Sequence, residues 1–266
     1  MKKYLTVFGL SFENEFVYRL NFILWRVRNV LRILMTFFLW NSIFSHNKIA
    51  FGYSKEQMFA YVFLVLILSS FVMSAPSNEV IGGEIANGDL SNYLVKPIGY
   101  LRYWLTRDWA SKLLNMIFAC GEITLLYFLL QPTITLTPSF LQLALGIVAS
   151  LIAALTFFYI TKLAVSIAFW NPEDTWSLMF LMLVFMETAA GTIFPLDILP
   201  ANIGLALQFT PFPYLIYYPI AILVGRVSLA VSLRVLLQSL VWLAVSAAAT
   251  SKVWRMGLRT YAASGR

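Results

Sequence analysis

Two carboxylates stand in the middle of long apolar runs, Glu122 and Glu187. If those runs cross a bilayer, each carboxylate costs on the order of 3 kcal/mol there unless it is protonated or paired. Two chemistries follow. Either one or both line a substrate path or bind a cationic group, or each is a protonated carboxyl bonded to a neighbouring helix for packing reasons. Glu187 is followed by Thr188, Ala189, Ala190, Gly191 and Thr192, a small-residue face that lets another helix approach closely, as at a seam between two copies of the chain. Other chemistries find no support. His46 is the only histidine and has no partner carboxylates or cysteine, so no metal site is expected. No Ser/His/Asp or Cys/His arrangement suits hydrolysis. The single cysteine, Cys120, lies in an apolar run, so there is no disulfide framework.

The elements that position these groups follow from composition. The 266 residues are 60% hydrophobic and 12% charged, against roughly 45–50% and about 25% in ordinary globular chains. An all-α integral membrane protein is expected. The net charge of +7 does not point to nucleic acid, because the basic residues gather at the ends of apolar segments rather than on one soluble face. The N-terminal Met1-Lys2-Lys3 faintly resembles a signal peptide, but Glu13 and Glu15 interrupt it and no cleavage is expected.

A span needs roughly 20 apolar residues. Six segments qualify: 21–43, 58–75, 113–130, 141–160, 176–194 and 229–249. The first carries Arg26, Arg28 and Arg32, which are expected to snorkel to headgroups. Lys162 and Arg234 are expected to do the same. With six spans both termini share a side. Only Lys48, Lys55, Arg226 and Arg234 of the 19 Lys and Arg then fall outside, leaving 15 within, so the termini are expected to be cytoplasmic. Residues 131–139 carry no charge, which fits an outward turn.

Leu5, Phe8, Phe12, Phe16 and Leu20 recur at helical spacing before the first span. Residues 1–20 therefore read as an amphipathic interfacial helix, or as a soluble helical lead-in. Residues 21–266 form one membrane domain. Half of the ten prolines (Pro195, Pro200, Pro211, Pro213 and Pro219) fall in residues 195–226, together with Asp197. A segment broken this often cannot be one straight span and is expected to form outer re-entrant helices packed against protein. The polar segment 77–112 holds Gly82, Gly83 and Gly88 as expected turn or cap positions. Asp89 is the expected N-cap of a short helix at 90–95, stopped by Pro97. Such a helix either docks into a soluble partner or is a solvated connector.

The stretch Ile85-Ala-Asn-Gly-Asp-Leu-Ser-Asn-Tyr-Leu-Val-Lys-Pro97 resembles the I-x-x-G-x-L-x-x-Y-L-x-x-P signature of ABC-2 type transporter permeases. Residues 168–225, including Phe194-Pro-Leu-Asp-Ile-Leu-Pro200 and Pro211-Phe-Pro-Tyr-Leu-Ile-Tyr-Tyr-Pro219, are similar to the second half of the same group. The opening Glu15-Phe-x-Tyr-Arg19-x-Asn21-Phe is also typical of its short six-span subgroup.

The resemblance implies a permease subunit of an ATP-driven exporter in the bacterial plasma membrane, working by alternating access. It implies a homodimer or a heterodimer with a related permease, driven by two separate ATP-binding subunits that use ATP and Mg. Those subunits would dock on a coupling helix with its lead-in at Asn87, Gly88, Asp89, Leu90, Tyr93, Leu94, Lys96 and Pro97. The chain contains no G-x-x-x-x-G-K-[ST] loop to cradle nucleotide phosphates, so no enzyme activity or cofactor is expected in it. A secondary transporter driven by an ion gradient is the rival reading. It often shows paired broken helices, and the first half has no counterpart of residues 195–219.

Overall fold

Ser54 and Ser139 start two of the long helices by the same device. Each side chain accepts from the backbone N–H of a glutamine three residues on, and that glutamine's amide oxygen accepts from the serine's own N–H. This reciprocal pairing satisfies amides that a helix end otherwise leaves without partners. Ser228 caps the last long helix through Val231.

The computed structural model describes residues 2–14, 19–46, 48–74 and 77–261. Helix α1 (Lys2–Asn14) is followed by α2 (Arg19–Ile43), a hairpin of β1 (Ile49–Ala50) and β2 (Tyr53–Ser54), and α3 (Lys55–Val72). Then come α4 (Ser77–Ala86), α5 (Ser91–Leu94), α6 (Tyr100–Leu130) and α7 (Phe140–Val165). After α8 (Thr175–Ala189) the proline-rich stretch forms two short 3₁₀ turns with α9 (Ala201–Gln208) and α10 (Tyr217–Leu223), and α11 (Leu229–Thr260) closes the order. Phe16 and the motif residues 15–18 lie outside the described residues.

Among the described residues four helices are long and apolar enough to cross a membrane: Lys55–Val72, Tyr100–Leu130, Phe140–Phe169 and Leu229–Thr260. The other two expected spans differ for separate reasons. Helix α2 has the length but carries four arginines, and α8 ends after 15 residues. Helix α6 begins well before the expected start at 113, so much of the polar segment 77–112 is helical.

Helices α7 and α11 pack along each other. Besides Val235 and Trp254, α11 buries Ser232, Ser239, Ser246, Thr250 and Gly257, small groups that let the helices approach. Each hydroxyl donates to a carbonyl of its own helix, Thr250 also to the Tyr159 carbonyl of α7. Helix α10 lies against α7 and α3, with Ile220 and Ile222 buried completely. Helix α1 packs along α6, with Val7, Phe8 and Phe12 half-buried and Leu5 exposed.

Three local expectations are corrected. Gly82 and Gly83 lie inside α4 and make no turn; only Gly88, with φ of 84°, leaves the helical region. Asp89 does not cap α5. Leu90 occupies that position without a side-chain cap, because the turn is closed instead by the Leu90 N–H donating to the Glu84 carbonyl. The helix itself is one turn, Ser91–Leu94, shorter than 90–95.

Candidate functional site

The segment 87–97 forms a tip with a buried root. Leu90 is fully buried among Ile81, Ile85, Trp104 and Trp254, and Gly88 is buried as well. Tyr93 is half-buried, its ring 5.3 Å from that of Tyr100, which stacks on Trp254 at 5.2 Å. The Tyr100 hydroxyl donates to Glu84. Burial first, and then the Glu84 carboxylate, push the Tyr93 phenol up, so it stays neutral. The outer face of the tip is open: Asn87, Asp89, Asn92, Lys96 and Pro97 are exposed, with Leu94 at 51% and Val95 at 85%. Of the residues assigned to docking, Leu90 and Gly88 therefore build the tip and do not face outward. Val95, absent from that set, is its most exposed apolar side chain; its place before Pro97 was the available signal.

The two carboxylates do not stand alone, and Arg26 and Arg32 of α2 turn to them instead of snorkelling, while Arg28 is exposed. Arg26 donates two bonds to Glu122, at 2.5 and 2.6 Å, and a third to Asn115 at 3.1 Å. Their side chains are 8% and 13% exposed. A planar guanidinium clasping a carboxylate in this way is the strongest form of the pair. Arg32 reaches Glu187 through one longer bond of 3.3 Å, and Ser69 at 3.4 Å. This second pair is 34% and 43% exposed. Both carboxylates thus face guanidinium groups rather than an open cation site. Partners 96 and 155 residues apart in the chain carry no local sequence signal.

The small-residue run after Glu187 is likewise taken up within the chain. Ala189, Ala190, Gly191 and Thr192 are buried. Tyr61 donates to the Gly191 carbonyl at 2.6 Å, and Tyr217 donates its N–H to Ala190 at 3.0 Å. The elements that approach this run closely are α3 and α10 of the same chain, while Thr188 stays exposed.

Lys162 does not snorkel either. It is fully buried, donates to Asn78 at 2.7 Å and lies 3.4 Å from Asp108. Lys112, one turn after Asp108, donates to the carbonyls of Val72 and Ser74, each at 2.7 Å. This cluster joins the ends of α3 and α7 to α4 and α6 beneath the tip. At the far end Asp197 accepts from Tyr53 at 2.8 Å and from Arg226 at 3.2 Å. The Arg226 guanidinium lies 3.5 Å over the Tyr53 ring and donates to the Gly52 carbonyl. Burial, then Asp197, push the Tyr53 phenol up. Pro195, Pro213 and Pro219 are buried, Pro211 is half-buried, and Pro200 is exposed at the start of α9.

Long apolar helices, broken helices packed beside them and ion pairs enclosed between them define a multi-pass helical membrane protein. Residues 30–265 match the family described as ABC-2 family transporter protein, and the chain belongs to that family. It is in that sense the permease of an ABC transporter, and membership implies an ATP-binding partner subunit. A search of curated proteins returned no match.

Proposed function

We propose that this chain is the membrane subunit of an ATP-driven exporter in a bacterial plasma membrane, with both termini cytoplasmic. Two ATP-binding subunits dock on the exposed face of the 87–97 tip and hydrolyse Mg-ATP, while this chain holds no cofactor. The observation that carries this reading is the tip itself, with apolar Leu94 and Val95 held outward on a root fixed by Leu90, Tyr93 and Tyr100. An apolar knob on a rigid base suits insertion into a groove of a soluble partner.

Six spans follow if α2 and α8 are counted. The arginines that disqualify α2 by composition are answered in part by Glu122 and Glu187, which lowers the cost of placing them in the bilayer. Helix α8, at about 22 Å, is shorter than a bilayer core of about 30 Å. The irregular backbone that follows it is buried in protein from Ala189 to Thr192, a condition under which non-helical chain is tolerated at depth. Helix α1 would lie at the inner interface, and the 195–226 region would form the outer re-entrant part. A second permease copy, or a related one, would pack on exposed apolar faces of the chain.

The test is recovery of the tagged chain from its native membrane in mild detergent, with co-purifying proteins identified by mass spectrometry. An ATP-binding subunit is expected. The paired change Leu94→Asp and Val95→Asp should lose that subunit while the chain still inserts and elutes as before. A chain that emerges alone, with transport that follows an ion gradient, would overturn the proposal in favour of a secondary transporter.

A further inference from the structure

The two ion pairs on α2 are built to different standards, and the difference points to a ligand. Arg26 and Glu122 are closed, bidentate and nearly inaccessible, as a structural strut should be. Arg32 and Glu187 share one 3.3 Å bond and are open to the surroundings. A guanidinium has five donors in a rigid fork, and among the described residues Arg32 engages two of them, both in long bonds. Arg28 is exposed and lies with its guanidinium 4.0 Å over the Trp25 ring. It stands one turn before Arg32 on α2, so both guanidinium groups rise from the same helix face, the one that meets Glu187. The surroundings are apolar and open: Met35, one turn along α2 from Arg32, is 74% exposed, and Val184, one turn before Glu187, is exposed too. A pocket no larger than a water molecule lies beside Arg32, lined by polar Thr36, Tyr61 and Thr192 and by apolar Ile33, Val62 and Val65.

We propose that Arg28, Arg32 and Glu187 form a binding site for the headgroup of an amphipathic anion, a phosphate or carboxylate carried on an apolar chain, with Glu187 as the counter-ion that the incoming headgroup displaces. A tetrahedral phosphate matches the guanidinium fork better than the single bond that Glu187 now makes. The exposed apolar side chains of α2 and α8 receive the chain. Two sources supply this chemistry, an anionic lipid of the bilayer or a transported amphiphile. Assigning the ligand as cargo rests on the export reading above, whereas binding itself does not.

The experiment uses the purified full chain in a neutral maltoside detergent, without any ATP-binding subunit, and n-dodecyl phosphate as the probe. Binding is followed by native mass spectrometry, beside inorganic phosphate and dodecyltrimethylammonium. The probe is expected to bind at one site per chain and to outcompete both comparison compounds. Arg32→Gln should weaken it about tenfold or more, the loss of a charge-assisted bond. Arg32→Lys, which keeps the charge but not the fork, should weaken it less. Glu187→Gln should tighten binding, because it removes the competing carboxylate. These opposite signs separate a ligand site from a structural pair, whose two variants would change binding in the same direction. Unchanged binding in Arg32→Gln, weaker binding in Glu187→Gln, or equal binding of the ammonium compound or of inorganic phosphate would overturn the proposal. Competition by phosphatidylglycerol would make the bilayer the source, and retention of the probe in its presence would point to cargo; both outcomes support the site. Because no motor subunit is present, failure here leaves the co-purification test untouched, and the reverse holds.

Discussion

Buried charge decides the strongest effects at single residues. Lys162 sits fully buried against Asp108 and Asn78, so Lys162→Met leaves Asp108 without that partner in a dry place. A loss of about 3–5 kcal/mol is expected, read as a lower melting temperature in detergent, while Lys252→Met on the exposed surface of α11 should change little. The sequence showed that Glu122 and Glu187 needed an answer in the bilayer but not what the answer was. Arg26, Arg32 and Lys162 all looked like side chains at span ends, where snorkelling is the ordinary outcome. Their true partners come from helices far away in the chain, and pairing of that kind is set by packing. Leu90 shows the same limit from the other side. The motif marked it as important, but nothing in the spacing told a buried root from an exposed docking face.

Element by element, periodicity and proline placement were more legible. The hydrophobic runs located α3, α6, α7 and α11, and the five clustered prolines announced the broken helices between α8 and α11. What the runs could not show was how far helices continue into polar sequence, as α6 does from Tyr100. Nor did they mark the small buried residues of α11, since serine and glycine look unremarkable in a hydropathy profile. Gly257 illustrates their cost of replacement. A Cβ there would overlap the ring of Phe169, which packs with Trp254 and Tyr261. Gly257→Ala should destabilise the protein by about 2 kcal/mol, measured by thermal unfolding. Gly83→Ala is the matched case: it lies inside α4 with no atom within 4 Å of the added methyl. It should raise stability by about 0.5–1 kcal/mol.

Across the whole molecule, the two ends are fastened differently. At one end Asp197 and Arg226 tie the hairpin at Tyr53 to the proline-rich segment and the start of α11. Arg226→Gln should loosen that tie by roughly 1 kcal/mol, seen as faster hydrogen exchange at residues 49–54 with exchange in α7 unchanged. Equal protection in the variant would mean that the hairpin is held by its apolar contacts alone. At the other end the tip is closed on itself. The Leu90 N–H bonds to the Glu84 carbonyl, and the Tyr100 hydroxyl bonds to the Glu84 side chain. Both roots of the tip thus meet at one residue, while Lys112 and Lys162 fix the same corner to α3 and α7. A load applied at Val95 therefore enters α4 and α6 together, as a torque on a braced frame rather than a thrust along either helix.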